Sequence, residues 1–125
     1  MTIPRSWLHA ARIAAAILFY PALGLVIWGE LTPAPPSALE NIYDKILHFI
    51  AYFGLAWLAG VAVTSPAMAV RAFLALVLLG GLLEIAQGFT GRDMSVYDEL
   101  ANTIGVLVGG FAARVMVEPL RRRIV

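Results

Sequence analysis

The side chains able to move protons or grip an anion recur at helical spacing in this 125-residue chain. Asp44, His48 and Tyr52 follow an i, i+4, i+8 pattern and would share one helix face. Histidine as a residue type has an unperturbed pKa near neutrality, so His48 suits a general acid or base, with Asp44 one turn earlier to orient its ring. Glu84 is a second proton-handling candidate, with Gln87 one turn beyond it. Asp98 and Asn102 are also one turn apart, and Gly105 and Gly109 continue that stripe. Lys45 and Arg92 offer positive charge for a phosphate or carboxylate, Arg92 as a bidentate fork. Glu84, His48 and Asp98 are thus the candidate catalytic residues. Asp44, Lys45, Tyr52, Gln87, Arg92 and Asn102 are the candidate ligand-binding ones.

Each group also has a plainer reading. His48, Glu84 and Asn102 could be interhelical hydrogen-bonding residues without chemistry. Asp98 stands three residues after Ser95, which is the spacing of a helix capping box. Lys45 and Arg92 could anchor to lipid phosphates. Ser95 is a poor nucleophile, because no histidine is close in sequence and capping accounts for it. A metal set of His48, Asp44 and Glu84 is disfavoured, since one histidine with carboxylates is distinctive for no metal. No cofactor is expected. The chain has no cysteine, which excludes disulfides and thiolate chemistry.

Membrane helices must position these residues. At 61% apolar and 14% charged, the chain lacks the polar residues to clothe a soluble domain. The basic residues show no aromatic interleaving, which argues against nucleic acid. Four apolar stretches predict an all-α, four-helix membrane bundle in one domain, residues 1–125. The expected helices cover about 10–29, 44–64, 67–89 and 96–117. Pro21 should kink the first. Pro33, Pro35 and Pro36 bar helix in the first connection. Ser37 and Glu40 then read as a capping box that opens a short interfacial turn or helix before the second span. Arg5 and Arg12 before an apolar run resemble a signal peptide, but that run is long and Pro33–Pro36 suits cleavage poorly. A retained helix is expected.

Charge orients the bundle. Arg5, Arg12, Arg71, Arg114, Arg121, Arg122 and Arg123 fall on one side, and Lys45 and Arg92 on the other. Seven against two predicts that both termini lie in the cytoplasm. Seven acids, Glu30, Glu40, Asp44, Glu84, Asp93, Asp98 and Glu99, then lie on the extracytoplasmic side and Glu118 alone within. Trp7, Trp28 and Tyr43 fit interfacial belts, whereas Trp57 should lie deeper and pack.

Depth separates Glu84 from an ordinary loop acid. Arg71 and Glu84 are 13 residues apart. That is about 20 Å of helix, against a hydrocarbon core of roughly 30 Å. Arg71 can snorkel, but the shorter Glu84 must point inward. Gly105-x-x-x-Gly109, together with Gly80 and Gly81 a turn below Glu84, predicts close helix packing at depth. Above it a polar cup would open, lined by Glu84, Gln87, Asp44, His48, Asp98 and Asn102, with Lys45 and Arg92 at its rim.

The ordered set Asp44-Lys45-Ile46-Leu47-His48-Phe49, Tyr52, Glu84-Ile85-Ala86-Gln87, Arg92, Ser95, Asp98, Asn102 and Gly105 resembles the VanZ-like family over roughly residues 44–110. Thr90-Gly91 stands where many members carry a proline, a departure that concerns loop shape. The resemblance implies a small multi-pass protein of the bacterial inner membrane. The family is named for a member linked to teicoplanin resistance, and the resemblance supplies no settled reaction.

Three functions follow as expectations. The first is a protein that binds or modifies an envelope lipid or lipid-linked precursor at the outer membrane boundary, with catalysis left open and a link to glycopeptide resistance implied by the resemblance. The second is a non-catalytic structural protein of the envelope, in which the cup is glue. The third, an ion-coupled transporter, is weakened by the lack of polar residues in the cytoplasmic half and of any inverted repeat.

Overall fold

The computed structural model describes residues 4–33 and 40–122. Its four helices are α1 (Arg5–Leu31), α2 (Glu40–Ala62), α3 (Pro66–Gln87) and α4 (Val96–Arg122), with no strand among the described residues. All four are long and apolar enough to cross a membrane. Large apolar side chains such as Ile17, Leu78, Leu82, Leu107 and Phe111 face outward along the bundle. That surface would be insoluble in water and suits lipid, so the architecture is that of a multi-pass membrane protein.

The helix ends follow local chemistry. Pro4 precedes α1, and Thr32 closes it by hydrogen bonding through both its N–H and its Oγ1 to the Trp28 carbonyl. Ser65 caps α3 by accepting from the Met68 N–H, with Pro66 in the first turn, where its missing N–H costs nothing. The expected spans mark only the apolar stretches, so α1 exceeds its stretch at both ends and α4 at one. α2 starts at Glu40 instead of 44, because nothing in 40–43 breaks the helix. α4 runs on through Pro119 to Arg122, its last turns held by Glu118 between Arg114, Arg121 and Arg122. α3 stops at Gln87, two residues early, where the chain turns through Gly91 at φ 83°. The Ser37–Glu40 capping box, Pro35, Pro36 and Arg123 lie outside the described side chains.

Packing is closest between α2 and α4. A Cβ on Gly105 would stand 2.6 Å from the Phe49 carbonyl oxygen, and one on Gly109 would collide with the Phe53 backbone. Only glycine lets the two backbones meet here, as the small-residue stripe predicts. Gly80 leaves a notch of another kind: a Cβ there would stand 2.7 Å from Glu99 Oε2 and 3.0 Å from Asn102 Nδ2. Below the polar end, Tyr52, Leu55, Ala56, Leu76 and Val106 form the central core. Beyond it, Leu8, Ala15, Val61, Ala113 and Val117 pack with Trp57. Trp7, Trp28 and Tyr43 are exposed near helix ends.

α1 packs on α2 and α3. Only Leu8, Ala15 and Glu30 of its 27 residues are buried. A glutamate among the few buried residues of a peripheral apolar helix directs attention to the end of the bundle where it lies.

Candidate functional site

His48 is the centre of that end. It is buried at 4% exposure, and one carboxylate from each helix lies within 4 Å of its ring. Glu30 Oε1 of α1 is 3.7 Å from Nδ1. Asp44 Oδ2 of α2 is 3.8 Å from Nε2, and Glu84 Oε1 of α3 and Asp98 Oδ2 of α4 are each 3.9 Å from it. All four stand outside hydrogen-bond distance. The i, i+4 spacing on α2 carries Asp44 to its place, whereas the other three depend on how the helices assemble.

One short bond sets the ring. His48 Nδ1 meets Asn102 Oδ1 at 2.8 Å, and Asn102 Nδ2 donates to Glu99 Oε2 at 3.2 Å. Glu99 thereby fixes which way the amide points. Its oxygen faces His48 and can only accept, so Nδ1 carries a proton. Nε2 is left facing Asp44, Glu84 and Asp98.

The two cations are engaged within the protein. Lys45 Nζ lies 3.6 Å from Asp98 Oδ1. Arg92 Nη2 donates to Asp44 Oδ1 at 3.0 Å, while Nη1 reaches the carbonyls of Gly29 and Glu30 at 3.3 Å and Thr32 at 3.5 Å. Gln87 Nε2 donates to the Glu30 carbonyl at 2.9 Å. The last carbonyls of a helix lack intrahelical partners and carry partial negative charge. Arg92 and Gln87 satisfy them here, which locks the end of α1 against α3 and holds Glu30 inside. The tight turn at Gly91 brings Arg92 back, with its N–H bonded to the Gln87 carbonyl at 3.2 Å.

The six residues expected to line a cup do come together, as a filled cluster with a partly open edge. Asn102 and Gln87 are essentially inaccessible and Glu84 is buried, while the Asp44 and Lys45 side chains retain 31% and 37% exposure. Tyr52 is fully buried beneath them, its hydroxyl close to the Glu30 carboxylate but outside hydrogen-bond geometry. The Ser95 N–H donates to Glu84 Oε2 at 3.1 Å, and the Ser95 carbonyl accepts from the Asp98 and Glu99 N–H groups. The carboxylate that closes the start of α4 therefore comes from α3. Asp98 turns toward Lys45 and His48 instead.

Glu30 and Glu99 were not among the expected site residues. Glu30 falls just past the apolar run and reads as loop, yet α1 continues through it to Leu31. Glu99 lies next to Asp98 on what looks like an outward face, and the Gly80 notch admits it. Glycine in α3, one turn below Glu84, was the sequence signal for that opening.

None of the known family models, curated proteins or solved structures matches this chain.

Proposed function

We propose that the chain is a VanZ-like protein of the bacterial inner membrane, with both termini cytoplasmic. Its His48 cluster, on the extracytoplasmic side, binds or modifies a cell-envelope lipid or lipid-linked precursor. The observation that carries this reading is one buried histidine facing a carboxylate from every helix. Burying charge in a bilayer-spanning bundle costs several kcal/mol per ion. A bundle held only by packing and neutral hydrogen bonds would avoid that cost. The cluster borders the polar end of the bundle through Asp44 and Lys45, where a headgroup could reach it laterally. Glu84 and His48 would handle protons, and Lys45 would meet the headgroup. Arg92, Gln87 and Asn102 act as positioning residues, since their polar atoms are bonded to protein.

Native mass spectrometry of gently extracted wild type, Glu84→Gln and Lys45→Ala tests this. A defined lipid or precursor retained by the wild type and lost from folded variants supports the site. Mixed phospholipid adducts, equal in all three proteins, would instead favour the structural role that the Arg92 and Gln87 contacts suggest.

A further inference from the structure

Nε2 of His48 faces an arrangement that hydrogen bonding does not explain. With the proton on Nδ1, the ring in its neutral form turns a lone pair toward three carboxylate oxygens at 3.8, 3.9 and 3.9 Å. These distances are too long for a hydrogen bond and too nearly equal to single out one partner. Glu84 is 5% exposed, and its Oε1, which points at Nε2, has no hydrogen-bond partner among the described residues. Both oxygens of Glu30 are likewise without one. Four carboxyl groups turned toward one buried ring leave a place where a cation would be favourably held.

We infer that Asp44, His48 and Asp98, with Glu84 as a fourth donor, bind one divalent transition-metal cation. The donor atoms of Asp44, His48 and Asp98 all lie within 4.8 Å of one another. In a tetrahedral site with bonds of about 2.0–2.2 Å, neighbouring donors stand about 3.4 Å apart. The carboxylates need to close by about half an ångström on Nε2, and the widest donor pair, within 4.8 Å, by up to about 1.4 Å, through side-chain rotation around the ion. Charge agrees with this. Asp44 has Arg92 and Asp98 has Lys45, but Glu30 and Glu84 have no Lys or Arg partner within ion-pair distance among the described residues. A dication at Nε2 would meet Glu84 directly, while Glu30 lies on the Nδ1 side of the ring. The second shell is also built: Glu99 orients Asn102, which orients His48 and presents Nε2 as the ligand atom. One imidazole with carboxylates suits Zn²⁺ or Mn²⁺ better than Mg²⁺ or Ca²⁺.

The ion also deepens the proposed function, on which this one step rests, and in its presence His48 and Glu84 would hold the ion in place of moving protons. A carboxylate-lined cluster repels a phosphate-bearing headgroup, whereas a bound dication would take one phosphate oxygen as a fifth ligand, the expansion from four that such sites allow. The substrate class is then a phosphate-containing envelope lipid.

Mn²⁺ and Zn²⁺ titrated into chelator-treated protein in detergent, without added lipid, test the site. The expected result is about one Mn²⁺ per chain, displaced by Zn²⁺, with histidine ¹⁴N coupling in the pulsed electron-spin spectrum. His9 is exposed in α1, so His9→Gln should leave the coupling intact. Asp44→Asn and Asp98→Asn should weaken binding tenfold or more. No nitrogen-coupled Mn²⁺ in wild type or His9→Gln overturns the site, as does unchanged affinity in folded Asp44→Asn and Asp98→Asn. Should those variants not fold, the His9→Gln spectrum decides alone. Metal binding with lipid adducts that do not change on chelation would keep the ion and remove its role toward phosphate.

Discussion

His48 Nδ1 and Asn102 Oδ1 meet at 2.8 Å across 54 positions of sequence, and this bond joins α2 to α4 just above their closest approach. Asn102 is fully buried, so Asn102→Leu leaves the ring N–H and the Glu99 carboxylate without their partner. Interhelical hydrogen bonds in membrane bundles are worth roughly 0.6–2 kcal/mol. A loss at the upper end of that range is expected, read as a lowered unfolding midpoint in detergent.

The glycines of α4 should be sharply graded against those of α1. Gly109→Ala places a methyl into the Phe53 backbone and should separate α2 from α4, with loss of folded, monodisperse protein. On lipid-facing α1, a methyl added at Gly24 would meet nothing within 4 Å, so Gly24→Ala should be neutral or stabilising by up to about 1 kcal/mol. Thermal unfolding of the pair side by side measures the contrast. Equal effects would mean that the α2–α4 approach is misplaced.

Arg92→Lys should fail to replace Arg92. A single ammonium cannot serve both Asp44 and the three carbonyls at the end of α1, which the guanidinium spans with two nitrogens. Hydrogen bonds to a charged group contribute about 1.5–3 kcal/mol each when buried, and less at this partly exposed site. A double-mutant cycle with Asp44→Ala should return a coupling of about 0.5–3 kcal/mol. Additive losses would show that the pair is incidental.

Orientation can be read chemically because the chain has no native cysteine. A cysteine at Asp93, exposed in the α3–α4 connection, should react with an impermeant maleimide in cells with an opened outer envelope. One at Ser65, between α2 and α3, should react only after the inner membrane is permeabilised. The reverse pattern would place the His48 cluster in the cytoplasm and remove the envelope substrate.

How much of this was legible beforehand divides along a physical line. Helical periodicity brings Asp44, His48 and Tyr52 to one face and Asp98, Asn102, Gly105 and Gly109 to another, because the angle between residues on a helix does not depend on its neighbours. The cost of a carboxylate in hydrocarbon turns Glu84 inward whatever the partners are. Composition and apolar length likewise determine the four spans. The roles of Glu30, Arg92 and Asp98 were decided only by assembly. Glu30 enters because α1 runs on past its apolar stretch, and because Arg92 and Gln87 from 57 or more positions away bind its final carbonyls. Asp98 is released from capping because Glu84 of another helix takes the Ser95 N–H. Which acid meets which nitrogen of His48 depends on helix rotation and depth, and those are set by contacts such as Phe53 against Gly109 that no single helix encodes.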